Sequence, residues 1–276
     1  MTRRKINHGI SHPWVALAIL LFVTPTWSQV AILGALPVEI EDVLDALQNR
    51  TEETIQGVDF FRGQLDSMPV VVSVTGAGKV NATIAATLLI EHFQPDRVIF
   101  TGVAGALNPY LGPGDIVIGI KTAHHDLMKV DDNGTEGITV RSPITGKECP
   151  EFFDCDETLL DAARRLVQER SEDLDVEKAG EGKPSQIREG IIVSGDAFVA
   201  SDRMKAELRR RLGADAVDME SAAVAHVCYV YNIPFIAIRS FSDSADGMAV
   251  LDFRRFFKSA AQGSSQFVME MVGELD

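Results

Sequence analysis

The chain has 276 residues, 46% of them apolar, which is enough for one large domain with a proper core. Asp and Glu number 40 against 26 Lys and Arg, a net charge of -14. That balance excludes a nucleic-acid partner, which would call for a basic stripe, and otherwise reads as solubility.

The first 28 residues stand apart from the fold. Arg3, Arg4 and Lys5 precede an apolar run at 15–23 (VALAILLFV), and Thr26-Trp27-Ser28 places small residues before a cut. This is the pattern of a secretory signal peptide over 1–28, cleaved after Ser28, leaving a single domain over 29–276 that is exported to a periplasm or secreted. The run is too short for the ~20 residues of a membrane-spanning helix, so no stable membrane insertion is expected, although an uncleaved anchor is the alternative. Cleavage would take the net charge from -14 to -17.

A buried strand at 30–33 is followed by Gly34-Ala35-Leu36-Pro37 and a helix running to residue 47, with Pro37 in its first turn. Glu39 falls in that turn, where its plain role is a helix-dipole partner contributing ~0.3–1 kcal/mol. Residues 60–65 and 70–74 read as a hairpin. After it, TGAGK (75–79) opens a helix over 80–93 whose small face is Ala82, Ala85, Ala86, Leu89 and Ile90. That turn lacks P-loop spacing, so it reads as a tight turn for close backbone approach rather than a phosphate cradle.

A strand at 98–100 ends in Thr101-Gly102-Val103-Ala104-Gly105, and another covers 115–122. His124-His125-Asp126 invites a metal or a general base, yet no further ligands stand at metal spacing, and a polar loop is favoured; no metal is expected. Residues 127–156 read as loop. Asp131-Asp132-Asn133-Gly134 imitates a calcium loop, but Ser142 occupies the place of the closing Glu. Cys149 and Cys155 are close enough in sequence for a disulfide in an oxidising compartment, whereas Cys228 reads as a buried apolar residue. A helix over 157–172 precedes a charged, mobile excursion at 173–185.

From Gly190 onward three apolar runs each end in small and acidic residues: 191–194 before Gly195-Asp196-Ala197-Phe198, 216–217 before Asp218-Met219-Glu220, and 235–241 before Ser242-Asp243. Helices over 202–212 and 221–231 separate them, and a last helix covers 251–272. The alternation predicts an α/β fold with a central, mainly parallel twisted sheet flanked by helices. In such a sheet ligands sit beyond the carboxyl ends of the strands, where these acids lie.

Taken together, GALPVEI, TGAGK, TGVAG, GDIVI, SGDAF, VDMESAA and RSFSDSAD resemble the 5'-methylthioadenosine/S-adenosylhomocysteine nucleosidase family of the nucleoside phosphorylase superfamily, in the family's order and over nearly the whole chain from Val30. The resemblance implies hydrolysis of the N-glycosidic bond of methylthioadenosine, S-adenosylhomocysteine or 5'-deoxyadenosine, releasing adenine without any cofactor. It also implies a homodimer whose subunits complete each other's sites. Residue by residue, Asp243 matches the acid that protonates purine N7, and Ser242 the neighbour holding its loop. Glu39 matches the carboxylate that activates water, and Arg239 the arginine beside it. Glu220 matches the ligand of the ribose hydroxyls, with Met219 beneath the sugar. Phe198 matches the ring stacking on adenine, Val199 the backbone reading its edge, and Phe253 the aromatic covering the 5' substituent.

Breaking an N-glycosidic bond builds positive charge on the sugar and negative charge on the leaving base, so carboxylates near the ribose and an acid at N7 suit it. Asp243 must then hold its proton near neutral pH, which apolar enclosure would achieve. Related phosphorylases carry a phosphate-binding arginine where this chain has Phe100, so water is the expected acceptor. Two departures stand out. Val103, in the turn that ends at Gly105, replaces a common serine, and the segment around Lys129 is more polar than a methylthio pocket needs. Lys129 either meets a homocysteine carboxylate or faces water, and Phe60 offers another pocket wall. The alternatives are a phosphorylase, a nucleosidase of other base or 5' specificity, and a non-catalytic nucleoside-binding or storage protein of the same fold.

Overall fold

The structure is a computed structural model and describes residues 29–132, 134–174 and 185–275. The proposed signal segment and most of the charged excursion at 173–185 lie outside the described residues. In chain order the elements are β1 (Val30–Gly34), α1 (Glu41–Ala46), β2 (Gln48–Ile55), β3 (Val58–Leu65), β4 (Met68–Val74), α2 (Lys79–Phe93), β5 (Arg97–Ala106), β6 (Ile116–His124), β7 (Met128–Asp131), β8 (Gly134–Gly137) and β9 (Phe152–Asp154). There follow α3 (Glu157–Leu174), β10 (Ile187–Ser194), α4 (Asp202–Leu212), β11 (Ala216–Asp218), α5 (Ser221–Tyr231), β12 (Phe235–Asp243) and α6 (Ala249–Gly273).

The central sheet runs β11-β10-β6-β12-β5-β1-β4-β3-β2 and closes on itself, because β11 also pairs with β5. Strands β5, β12, β6, β10 and β11 therefore form a ring. Parallel ladders join β1 to β4 and β5, β12 to β5, and β10 to β6 and β11. Antiparallel pairs close the ring at β11–β5 and β12–β6 and build the outer meander β2-β3-β4. Strand β12 is buried at every position, which its near-continuous apolar sequence demands of a strand covered on both faces. Helix α2 buries Ala82, Ala85, Ala86, Leu89 and Ile90, the small face read from the sequence.

Three local expectations change. The helix at 37–47 is broken into a 3-10 turn, Pro37–Glu39, and the short α1, since the Glu39 side chain turns back to accept the Leu36 N–H at 2.8 Å. Strand β2 is present although its sequence, QNRTEETI, has no apolar face; it is an exposed, charged edge, which discourages pairing with other chains. The stretch at 127–156 holds a small hairpin, β7–β8, and a strand, β9, on β6.

The disulfide expectation is corrected, for Cys149, Cys155 and Cys228 are all free and buried. Cys149 lies with Sγ 3.2 Å from His226 Nε2. Cys155 is pinned to β6 by its N–H on the Ile120 carbonyl and has a thiol pushed up to about 12 by burial. The two thiols face different neighbours.

Candidate active site

A cavity of about 240 Å³ opens where β1, β5, β10, β11 and β12 end. Glu39, Val103, Gly105, Phe198, Val199, Met219, Glu220, Ser242, Asp243 and Phe253 line it, so ten of the expected residues converge from segments far apart in the chain. Arg239 is the exception. It lies behind the lining, 1% exposed, with Nε on Asp218 Oδ2 at 2.8 Å, Nη1 donating to the Thr101 carbonyl and its guanidinium 3.9 Å from the centre of the Phe100 ring. The position where phosphorylases hold phosphate is thus an aromatic seat for a buried arginine.

Glu39 is fixed by two backbone donors, Leu36 N–H at 2.8 Å on Oε2 and Val103 N–H at 2.9 Å on Oε1. Burial raises its pKa, against the pull of Arg239 and of those N–H groups. The bond from Val103 comes from the backbone, so replacing a serine side chain there leaves it intact. Residue 102 must be glycine, since its φ is +148° and a Cβ would lie 2.5 Å from Glu39 Oε1 and 2.4 Å from Arg239 Nη1.

Asp243 is the final residue of β12, carried there past a bulge that pairs it with Gly105. It is 2% exposed, and it accepts the Ala245 N–H at 2.8 Å on Oδ1 and the Ser242 hydroxyl at 2.9 Å on Oδ2. Burial raises its pKa despite those donors. Glu220 takes the Gly78 N–H at 2.7 Å and has a pKa pushed up to about 7, first by burial and then by the charge of Asp218.

Asp218 was legible only as one more acid at a strand end, and it is the hub under the cavity. It accepts from the Ser194 and Ser221 hydroxyls, from the Glu220 and Ser221 amides and from Arg239. At the mouth, Phe198 meets Phe253 edge to face at 5.6 Å, and Phe253 stacks on Phe257 at 4.6 Å.

Other expectations fall outside the cavity. Phe60 is fully buried against Phe93 at 5.0 Å and forms no wall of it. Lys129 pairs with Asp131 at 2.8 Å and is largely solvent-exposed. His124 faces His226 at 3.4 Å, with its pKa lowered to about 4 by burial, and among the described residues no group of three or more His, Cys, Asp or Glu could hold a metal ion. Two amides of the TGAGK turn are taken by carboxylates, Gly78 on Glu220 and Lys79 on Asp196, rather than being turned to a phosphate.

A ring of strands with three buried carboxyls, each with its pKa raised, around an apolar-walled cavity defines a class, and the chain belongs to the phosphorylase superfamily, whose family model matches residues 29–273. Within that class it falls in the 5'-methylthioadenosine/S-adenosylhomocysteine nucleosidase family. It is 34% identical over 251 residues to the nucleosidase of that name from Actinobacillus succinogenes, covering 90% of this chain and 100% of the relative. The corresponding enzyme of Neisseria meningitidis, solved with methylthio-immucillin-A, superposes with a TM-score of 0.76 at 35% identity, covering 90% of this chain and 100% of that one. Futalosine hydrolase of Helicobacter pylori gives 0.77 at 31% identity, covering 90% and 99%.

Proposed function

We propose that this protein hydrolyses the N-glycosidic bond of 5'-substituted adenine nucleosides, methylthioadenosine and S-adenosylhomocysteine among them, and releases adenine. The observation that carries the reading is the convergence of Glu39, Glu220 and Asp243 on one cavity with aromatic rings at its mouth. In this reading Asp243 delivers its proton to N7 as the bond to the sugar breaks, and Ser242 holds that carboxyl in place. Glu39 takes a proton from the water that attacks the anomeric carbon, while Arg239 lies behind it and steadies its charge. Glu220 binds the ribose hydroxyls above Met219. Phe198 stacks on the base, the Val199 backbone reads its edge, and Phe253 covers the 5' group. The two working carboxyls, Glu39 and Asp243, require opposite protonation states, so kcat/KM follows a bell-shaped pH profile.

Water is supported as the acceptor by Phe100, which fills the place of the phosphate-binding arginine and stacks on the buried guanidinium of Arg239. Incubating methylthioadenosine, S-adenosylhomocysteine, adenosine, inosine and futalosine with and without phosphate tests the reading. Adenine release independent of phosphate is expected, and a ribose 1-phosphate would overturn hydrolysis. The futalosine hydrolase match supports a second reading with the same chemistry but another base or 5' group, and the panel separates the two.

Two further features belong to this proposal. A homodimer is supported by an apolar face where Val80 and Ile84 of α2 are 68% and 50% exposed and Ile144 is 61% exposed, beside a cleft of about 660 Å³ that Val227 and Val230 of α5 also line. Export is read from the basic start, the apolar run and the small residues before Ser28 within residues 1–28, which precede the family match at residue 29. Mass spectrometry of the purified amino terminus tests it, and a cytoplasmic protein that retains residues 1–28 would refute it.

A further inference from the structure

The turn before α2 is held from outside the cavity by a closed ring of three charged residues. Lys79 donates its backbone N–H to Asp196 Oδ1 at 2.8 Å, Asp196 donates its own N–H to Asp126 Oδ2 at 3.0 Å, and Asp126 Oδ1 takes Lys79 Nζ at 2.5 Å. The ring ties together the start of α2, the segment after β10 and the segment after β6. Its closure needs glycine at two places. Residue 78 has φ +91° and a Cβ there would sit 3.1 Å from Asp196 Oδ1, while a Cβ on residue 195 would sit 2.4 Å from His125 Nε2 and 3.0 Å from Asp126 Cγ.

None of the three ring residues lines the cavity, yet two adjoin groups that serve it. Lys79 follows Gly78, whose N–H holds Glu220 Oε1, and Asp196 precedes Ala197 and Phe198 of the cavity wall. The turn carries two glycines at positive φ, Gly76 and Gly78, so its amides have little conformational preference of their own.

We propose that Lys79 and Asp126 are positioning residues: by closing this ring they fix the Gly78 amide against one oxygen of Glu220, so that the other oxygen is presented to the ribose hydroxyls. An exposed ion pair would contribute little by itself. This pair is different because its side chains are only 22% and 32% exposed and the same carboxylate also takes a backbone amide from the opposite loop. The kinetic consequence rests on the nucleosidase reading. Glu220 would grip the ribose in the ground state as in the transition state, so a loosened grip is felt in KM.

The test compares Lys79→Met, Asp126→Asn and the conservative Lys79→Arg in the full protein. The isosteric Asp126→Asn keeps the fold while removing the charge. For methylthioadenosine, Lys79→Met and Asp126→Asn should each raise KM about tenfold with kcat changed less than about threefold, and Lys79→Arg should recover most of the loss. Amide hydrogen exchange at Gly78, read by NMR, should accelerate at least about tenfold in Asp126→Asn. A KM within about twofold of wild type, a loss confined to kcat, or unchanged exchange at Gly78 overturns the proposal. If the wild-type protein releases adenine from no nucleoside, the proposed function fails, and the exchange rate at Gly78 still decides whether the ring positions this amide.

Discussion

Gly105 places the strongest steric demand on the base side of the site. A Cβ there would lie 2.8 Å from Asp243 Oδ1, at the end of β12, and 3.0 Å from the Ala245 side chain in the tight turn that follows. Gly105→Ala should displace the carboxyl from its Ala245 amide and lower kcat at least about a hundredfold, as removal of a general acid does, with adenine release as the assay. Asp243→Asn should lower kcat by roughly 10²–10⁴-fold, and near-wild-type turnover would sink the assignment of the acid. Stability responds differently. The Glu220 carboxyl has its pKa raised to about 7, so the stability tied to its proton is present below about pH 4 and lost as pH rises through 7. Glu220→Gln should therefore raise the melting temperature at about pH 8, leave it nearly unchanged at about pH 5, and weaken nucleoside binding. Residue identity was readable in unequal measure. Asp243 and Glu220 announce themselves at strand ends, while Glu39 looks like any acid in a first turn until the fold brings Val103 to it.

Among the elements, α6 links the mouth of the cavity to its floor. Phe253 lies near its start, and further along Ser264 accepts the Gly102 N–H at 3.1 Å, lies 2.7 Å from the Thr101 hydroxyl and donates to the Ile238 carbonyl at 3.1 Å. Ser264→Ala strands buried partners and should lower stability by about 1–3 kcal/mol in denaturant titration. The activity should fall as well, because the bend it supports carries the Val103 amide that holds Glu39. Strands and helices with an apolar stripe, such as β12 and α2, could be read from their periodicity. Strand β2 could not, since an exposed edge needs no apolar alternation, and the break between Glu39 and α1 depends on a side chain returning to the Leu36 amide.

For the whole molecule, the closed ring is the feature least visible in the sequence, because the antiparallel pairs β11–β5 and β12–β6 join strands far apart in the chain and leave no mark on local pattern. The parallel units are legible as alternating strand and helix; which edges meet is not. Placing a charge on the apolar face tests the proposed assembly: Ile84→Asp should convert a dimer into a monomer in sedimentation velocity. Strand β12 lies between β6 and β5 although it is the last strand to be made. During synthesis the barrel wall consequently keeps an open seam, and Asp243, the proposed acid for the leaving base, arrives with the strand that seals it. Glu39, from the first turn of the fold, waits for a partner contributed near the carboxyl terminus, so a growing chain carries no complete catalyst until its last strand is inserted.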